Sequence, residues 1–179
     1  MLFGRKEQEL CYTRKVENAF FLVCGNRVND EQIGGSKMTN YQHILVAVDG
    51  SEQSLQAFQE AIAIAKRNQA CLTIASIIND VELTTSAYAY GKVFAQEKSL
   101  AEKRVIALIQ EASAHRIHEI QPYVAVGNPK ALLVRYAKEK QVDLLVIGAT
   151  GKGAIQRVLV GSTTSYLVNH APCQVLVVK

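Results

Sequence analysis

The residues with the most chemical content lie together in GATGKGAIQRVLVGST, residues 148–163. Glycines, a lysine and a run of hydroxyls are what a phosphate group needs: bare backbone N–H donors, a mobile positive charge and side-chain donors. The spacing fits neither common nucleotide loop. A P-loop puts Ser or Thr directly after its lysine, whereas Lys152 is followed by Gly153. A dinucleotide turn built on Gly151 and Gly153 needs a third glycine where Gln156 stands.

A second candidate is Asp49, in the turn Asp49-Gly50-Ser51. Asp-Gly is a frequent turn pair, so Asp49 can serve the turn alone. The histidines (His43, His115, His118, His170) are scattered, with no Ser or Cys at a spacing that suggests a triad, and they read as structural or exposed. Cys11, Cys24, Cys71 and Cys173 form no C-x-x-C pair, the pattern of incidental cysteines in a reducing compartment.

The elements that must position these residues are legible from Met38 onward. HILVAVD (43–49) is a continuous apolar run, read as a buried strand ending at the Asp-Gly turn. Ser51 opens a helix with Leu55, Phe58, Ile62 and Ala65 on one face and Ala57 and Ala61 beside them. Residues 71–78 read as the second strand, 94–117 as a helix with Phe94, Ala101, Val105, Leu108 and Ala112 on one face, and 119–126 as the third strand. Pro122 suggests that this third strand pairs late or lies at an edge. Pro129 sits in the first turn of a helix over 128–140, where a missing N–H costs nothing. A fourth strand over 143–148, a helix over 162–170 and a fifth strand over 174–178 complete the pattern.

Alternating strands and helices imply an α/β fold: an open, parallel, five-stranded, Rossmann-like sheet with helices on both faces. The common open orders for five strands are 2-1-3-4-5 and 3-2-1-4-5, and in either ligands bind at the carboxyl ends where the winding reverses. In 3-2-1-4-5, the order expected here, that is between strands one and four. Those ends are Asp49 and Gly148. That order would bring the Asp49 turn and the glycine-rich stretch to one crevice. Past it, the helix beginning at Gly161-Ser162-Thr163-Thr164 offers free amides, three hydroxyls and the positive end of its dipole, with Lys152 and Arg157 as mobile charges. The plainer reading is that Gly148 ends a strand and Ser162 caps a helix. The connection 81–93, with Tyr88 and Tyr90, is long enough to form a lid on this side.

The chain has 179 residues, 49% of them hydrophobic and 20% charged, with a net charge of +4, which suits one globular domain. It shows neither a basic stripe with interleaved aromatics nor an apolar run long enough for a signal sequence or membrane span; a cytoplasmic protein without nucleic-acid or membrane partners is expected. Residues 1–37 differ from the rest: charges mix with short apolar pieces and show no sustained period. Gly34-Gly35 can be encoded by GGAGGN, which resembles a bacterial ribosome-binding site just upstream of the Met38 codon. Residues 1–37 are thus expected to be disordered or a leader from a start codon assigned too early, with residues 38–179 as the domain. The alternative is a genuine extension holding one strand, AFFLV.

From Tyr41 to Lys179 the chain resembles the ATP-binding branch of the universal stress protein family. The resemblance rests on ILVAVDGS (44–51), GNP (127–129), DLLVIGATGKG (143–153), HAPCQVLVVK (170–179) and the spacing Gly148-x-x-Gly151, nine residues, Gly161-Ser162. That spacing is the family's G-2x-G-9x-G-[S/T] pattern. The resemblance implies that Asp49 meets the adenosine, with Ala47 and Val48 lining that side and Ile77 against the adenine. It implies Gly148 near the ribose, with Ile147 also among the nucleotide-binding residues. Gly151, Gly161, Ser162 and Thr163 would hold the phosphates, with Lys152 nearby and Thr164 beside them. The cofactor is expected to be ATP with a Mg or Mn ion carried by the phosphates rather than by protein ligands.

The resemblance further implies a homodimer through antiparallel pairing of the last strand, residues 174–178, with Val160 joining the interface. A fully apolar strand at a sheet edge invites the same pairing on physical grounds. The function expected is a nucleotide-dependent stress-response or regulatory module; the alternative is a slow ATP hydrolase or nucleotidyl-transfer enzyme on the same fold.

Overall fold

Apolar runs become strands and amphipathic stretches become helices, in an order that lays the helices on both faces of one sheet. The computed structural model describes residues 11–16, 19–24, 41–79, 87–117, 119–152 and 160–179. Its elements are β1 (Cys11–Val16), β2 (Ala19–Cys24), β3 (His43–Ala47), α1 (Glu52–Asn68), β4 (Cys71–Ile78), α2 (Ala87–Ala114), β5 (Ile120–Val126), α3 (Pro129–Glu139), β6 (Leu144–Gly148), α4 (Ser162–His170) and β7 (Gln174–Val178).

The five strands after Met38 are all parallel, in the order β5-β4-β3-β6-β7. This is the expected 3-2-1-4-5 arrangement, and the winding reverses between β3 and β6. Helices α1 and α2 cover one face through Ala57, Phe58, Ala61, Val105 and Leu108. Helices α3 and α4 cover the other through Leu133, Tyr136, Ala137, Leu167 and Ala171. At the amino end of the central pair, the Asp143 carboxylate accepts from the Gln42 and His43 N–H groups at 2.8 and 2.9 Å. That carboxylate holds β3 and β6 in register at the end opposite the crevice. Pro122 lies in β5, which is an edge strand.

Three local expectations change. Leu55 is 40% exposed rather than in the core, because the buried stripe of α1 runs through Ser54, Ala57, Phe58, Ala61, Ile62 and Ala65. Residues 87–93 belong to α2 and not to an irregular connection, so only 81–86 of the expected lid lie outside the described residues, with Arg157 and His118. The third change concerns the edge. A β1–β2 hairpin precedes the parallel strands, and β2 pairs antiparallel with β7 through Leu22–Val177, Val23–Leu176 and Cys24–Val175. The last strand is therefore not the margin of this sheet; β1 is. Among the described residues, no helix is long and apolar enough to cross a membrane.

Candidate functional site

Asp49 follows β3 at the reversal point, and its turn is built by local hydrogen bonds. Its Oδ1 accepts from the Ser51 N–H at 2.9 Å. Ser51 caps α1, accepting from the Ser54 N–H at 3.2 Å, while Ser54 Oγ donates back to the Ser51 carbonyl at 2.8 Å. Ser54 Oγ also accepts from the N–H groups of Gly50 and Asp49. The first turn of α1 thus satisfies donors that would otherwise be orphaned. Gly50 has φ +86°, and a Cβ there would lie 2.6 Å from Arg104 Nε, so the half-buried Arg104 of α2 covers the turn.

The other oxygen of Asp49 reaches across the crevice. Oδ2 accepts from the backbone N–H of Lys152 at 3.0 Å. A Cβ at Gly151 would lie 2.6 Å from that same oxygen, so a larger residue there would push the carboxylate aside. The adjoining Thr150 is tied to α1, its N–H and hydroxyl both donating to Gln53 Oε1. Gln53 and Asp49 together fasten the loop after β6 to the loop after β3.

Burial acts to raise the Asp49 pKa, but hydrogen bonds from the Ser51 side chain and backbone, the Lys152 N–H and Ser54 outweigh it and leave the carboxyl below its ordinary value. A carboxyl more acidic folded than unfolded stabilises the fold above the unfolded pKa of about 3.9, and that contribution disappears as pH falls through the folded pKa. The stability advantage of the native protein over Asp49→Asn, measured by urea unfolding, is therefore expected to be largest at neutral pH and to shrink below about pH 4. A gap that stays constant from pH 7 to pH 3 would contradict this coupling.

Helix α4 begins opposite. Its N-cap is Gly161, not Ser162, with φ −69° and ψ 157° and no side-chain hydrogen bond to the first turn. The Gly161 N–H donates to the Ala149 carbonyl at 2.7 Å, which sets the helix start against the loop after β6. Ser162 is exposed and Thr163 half-buried. Thr164 is placed differently from the expectation: it is buried, and its hydroxyl donates to the Gly148 carbonyl at 2.8 Å. A hydroxyl has one proton, so the Thr164 side chain anchors α4 to β6 and has no donor left for a ligand.

The remaining expected residues line the crevice unevenly. Ala47 and Ile77 are half-buried and pack with the buried Ile147 on the α3/α4 face of the sheet. Val48 belongs to the core on the opposite face, and its N–H donates to the Ala75 carbonyl at 2.8 Å. Gly151 and Lys152 are exposed. Sequence reasoning missed Gln53, Ser54 and Arg104, since none stands in a recognisable spacing with the glycines.

Among the described residues, Cys71, Cys173 and His43 stay outside this chemistry. Burial raises the Cys71 thiol to about 11 and the Cys173 thiol to about 12, values of inert side chains. His43 is structural, with Nδ1 facing the Lys140 carbonyl at 3.1 Å and Nε2 facing Thr73 Oγ1 at 2.7 Å.

This arrangement has relatives. Residues 40–179 match the model of the universal stress protein family. A protein named as a universal stress protein in Staphylococcus haemolyticus is 38% identical over 144 residues, covering 79% of this chain and 87% of that relative. Among solved structures, universal stress protein UspA from Lactobacillus plantarum superposes with a TM-score of 0.73 at 35% identity, covering 78% of this chain and 99% of its own. A universal stress protein solved in complex with cAMP superposes with a TM-score of 0.54 at 29% identity, covering 78% of this chain and 97% of that one. A matched region that takes in every parallel strand, all four helices and both loops of the crevice assigns the chain: it belongs to the universal stress protein family.

Proposed function

We propose that this chain binds ATP in the crevice between β3 and β6 and works as a nucleotide-dependent regulatory module of the stress response. The observation that carries the reading is the uncapped start of α4 facing the Gly148–Lys152 loop. Helix amides without side-chain partners, the exposed Ser162 hydroxyl and the Lys152 ammonium form a donor set suited to phosphate. Gly151, Gly161, Ser162 and Thr163 hold the phosphates, and Gly148 and Ile147 approach the ribose. Ala47 and Ile77 give the adenine an apolar wall. A Mg or Mn ion rides on the phosphates; among the described residues no three His, Cys, Asp or Glu side chains gather to hold one.

Binding is favoured over catalysis because Asp49 is a poor base. Both of its oxygens accept backbone hydrogen bonds and its pKa is lowered, so it has little tendency to take a proton from an attacking water. The slow-enzyme alternative requires single-turnover hydrolysis of bound ATP at a rate that Lys152→Ala reduces. The relative solved with cAMP supports a second reading, another adenine nucleotide in the same crevice. Mass spectrometry of the denatured purified protein is expected to release ATP. Calorimetric competition among ATP, ADP, AMP and cAMP then ranks the ligands, and affinity for none of the four would refute the proposal.

A further inference from the structure

The pairing of β2 with β7 has a consequence for how copies of this chain meet. Strand β7 reads QVLVV, and on one side it pairs in parallel with β6. Left open, its other side would present free N–H and C=O groups on an apolar strand, a template for a second chain. A second copy related by a two-fold axis would bring its own β7 alongside in the antiparallel sense. Strand β2 already lies there and runs antiparallel to β7. It occupies the position and direction that the partner strand would take.

The hairpin sequence fits this role. Strand β2 is AFFLVC, wholly uncharged, as a strand flanked on both sides tolerates. Strand β1 is CYTRKV, and Arg14 and Lys15 fall on what is now the outer strand. Charge on an outer strand discourages further pairing. The hairpin thus moves the edge of the sheet from an apolar strand to a basic one. Among the described residues, β1 and β2 pair along their whole length from Cys11–Cys24 to Val16–Ala19, whereas β2 reaches β7 through Leu22, Val23 and Cys24. The hairpin is placed to leave as a unit.

We propose that the 11–24 hairpin is a built-in competitor of self-association. The chain is a monomer while the hairpin sits on β7, and a second copy pairs with β7 once the hairpin is displaced. The test is done without nucleotide, because strand pairing is what it probes.

Sedimentation analysis of the full chain is compared with the full chain carrying Leu22→Pro and Val23→Pro. Neighbouring residues in a strand direct their N–H groups to opposite sides, so the pair removes one donor from each ladder of β2. The native chain is expected to be monomeric at concentrations where the variant is dimeric, with dimer dissociation constants differing by at least about tenfold, or about 1.4 kcal/mol. A chain beginning at Met38 contains the whole region, residues 40–179, that matches the family model, and it is expected to dimerise like the proline variant. Slow amide exchange at Leu22–Cys24 in the native chain, lost in the proline variant, reports the seated hairpin. Equal self-association of all three proteins overturns the proposal, whether all are monomers or all are dimers. So does a native dimer formed by exchange of hairpins.

Discussion

Gly161→Val is expected to lower ATP affinity about a hundredfold while leaving the fold in place. A Cβ at Gly161 would sit 3.4 Å from the Ala149 carbonyl oxygen, 3.5 Å from Thr150 Cα and 3.9 Å from the Gly151 nitrogen. These are close to ordinary contacts, and the backbone at Gly161, with φ −69°, suits any residue. Neither crowding nor strain should therefore unfold the domain. The side chain would, however, point toward the Gly151 amide, into the gap between the two loops where the phosphates are proposed to lie. Displacing a phosphate from two charge-assisted hydrogen bonds, at roughly 1.5 kcal/mol each, amounts to about 3 kcal/mol or a hundredfold in affinity. Calorimetry with ATP and a thermal melt of the nucleotide-free protein measure both halves of the expectation. Unchanged affinity would remove Gly161 from the site, and a collapsed melting temperature would show that its role is structural. Gly161→Ala, carrying only the Cβ, should give a smaller loss of affinity in the same direction.

The second large effect is the converse. Gly148→Val is expected to destabilise the fold itself, by about 3 kcal/mol, before any question of ligand arises. A Cβ at Gly148 would lie 2.9 Å from the backbone carbonyl carbon of Gln53 and 3.0 Å from its oxygen and Cβ. Those atoms belong to the first turn of α1 and cannot swing aside like the end of a flexible side chain. Helix α1 would have to move off β6, loosening the Gln53 hold on Thr150 and the core beneath. For a domain of this size about 3 kcal/mol corresponds to a fall of roughly 6–12 °C in melting temperature. Denaturant unfolding of Gly148→Val beside Gly161→Val separates a glycine required by packing from one required by the ligand. Equal stability of the two variants would mean that α1 gives way more easily than its hydrogen bonds suggest.

Much of this was legible before any coordinates. The apolar runs at 43–49, 71–78 and 174–178 are strands, and α4 spans 162–170, because local hydrophobic pattern and turn chemistry dominate there. Alternating elements and handed crossovers leave two common strand orders, and Asp49 converges with Gly148 in the order 3-2-1-4-5 that the sheet adopts. Leu55 departs from the expected stripe because several steps of three and four fit the same helix, and only the packed sheet selects the stripe through Ser54. The start of α2 is hidden in the sequence because Ala87–Val93 carries no helix-start signal and its polar and small residues resemble a loop.

The chemistry of the crevice divides along the same line. Residue types and spacing alone determined that bare amides, hydroxyls and a lysine would meet an aspartate at the carboxyl ends of β3 and β6. Tertiary structure decided what each group does. Asp49 holds the Lys152 amide 103 residues away, Gln53 holds Thr150 97 residues away, and Thr164 gives its proton to Gly148. It also decided that β2, and not open solvent, lies against β7. Hydrogen bonds and strand pairings between distant segments leave no periodic trace in a chain, because each depends on where two surfaces come to rest and not on the residues beside them.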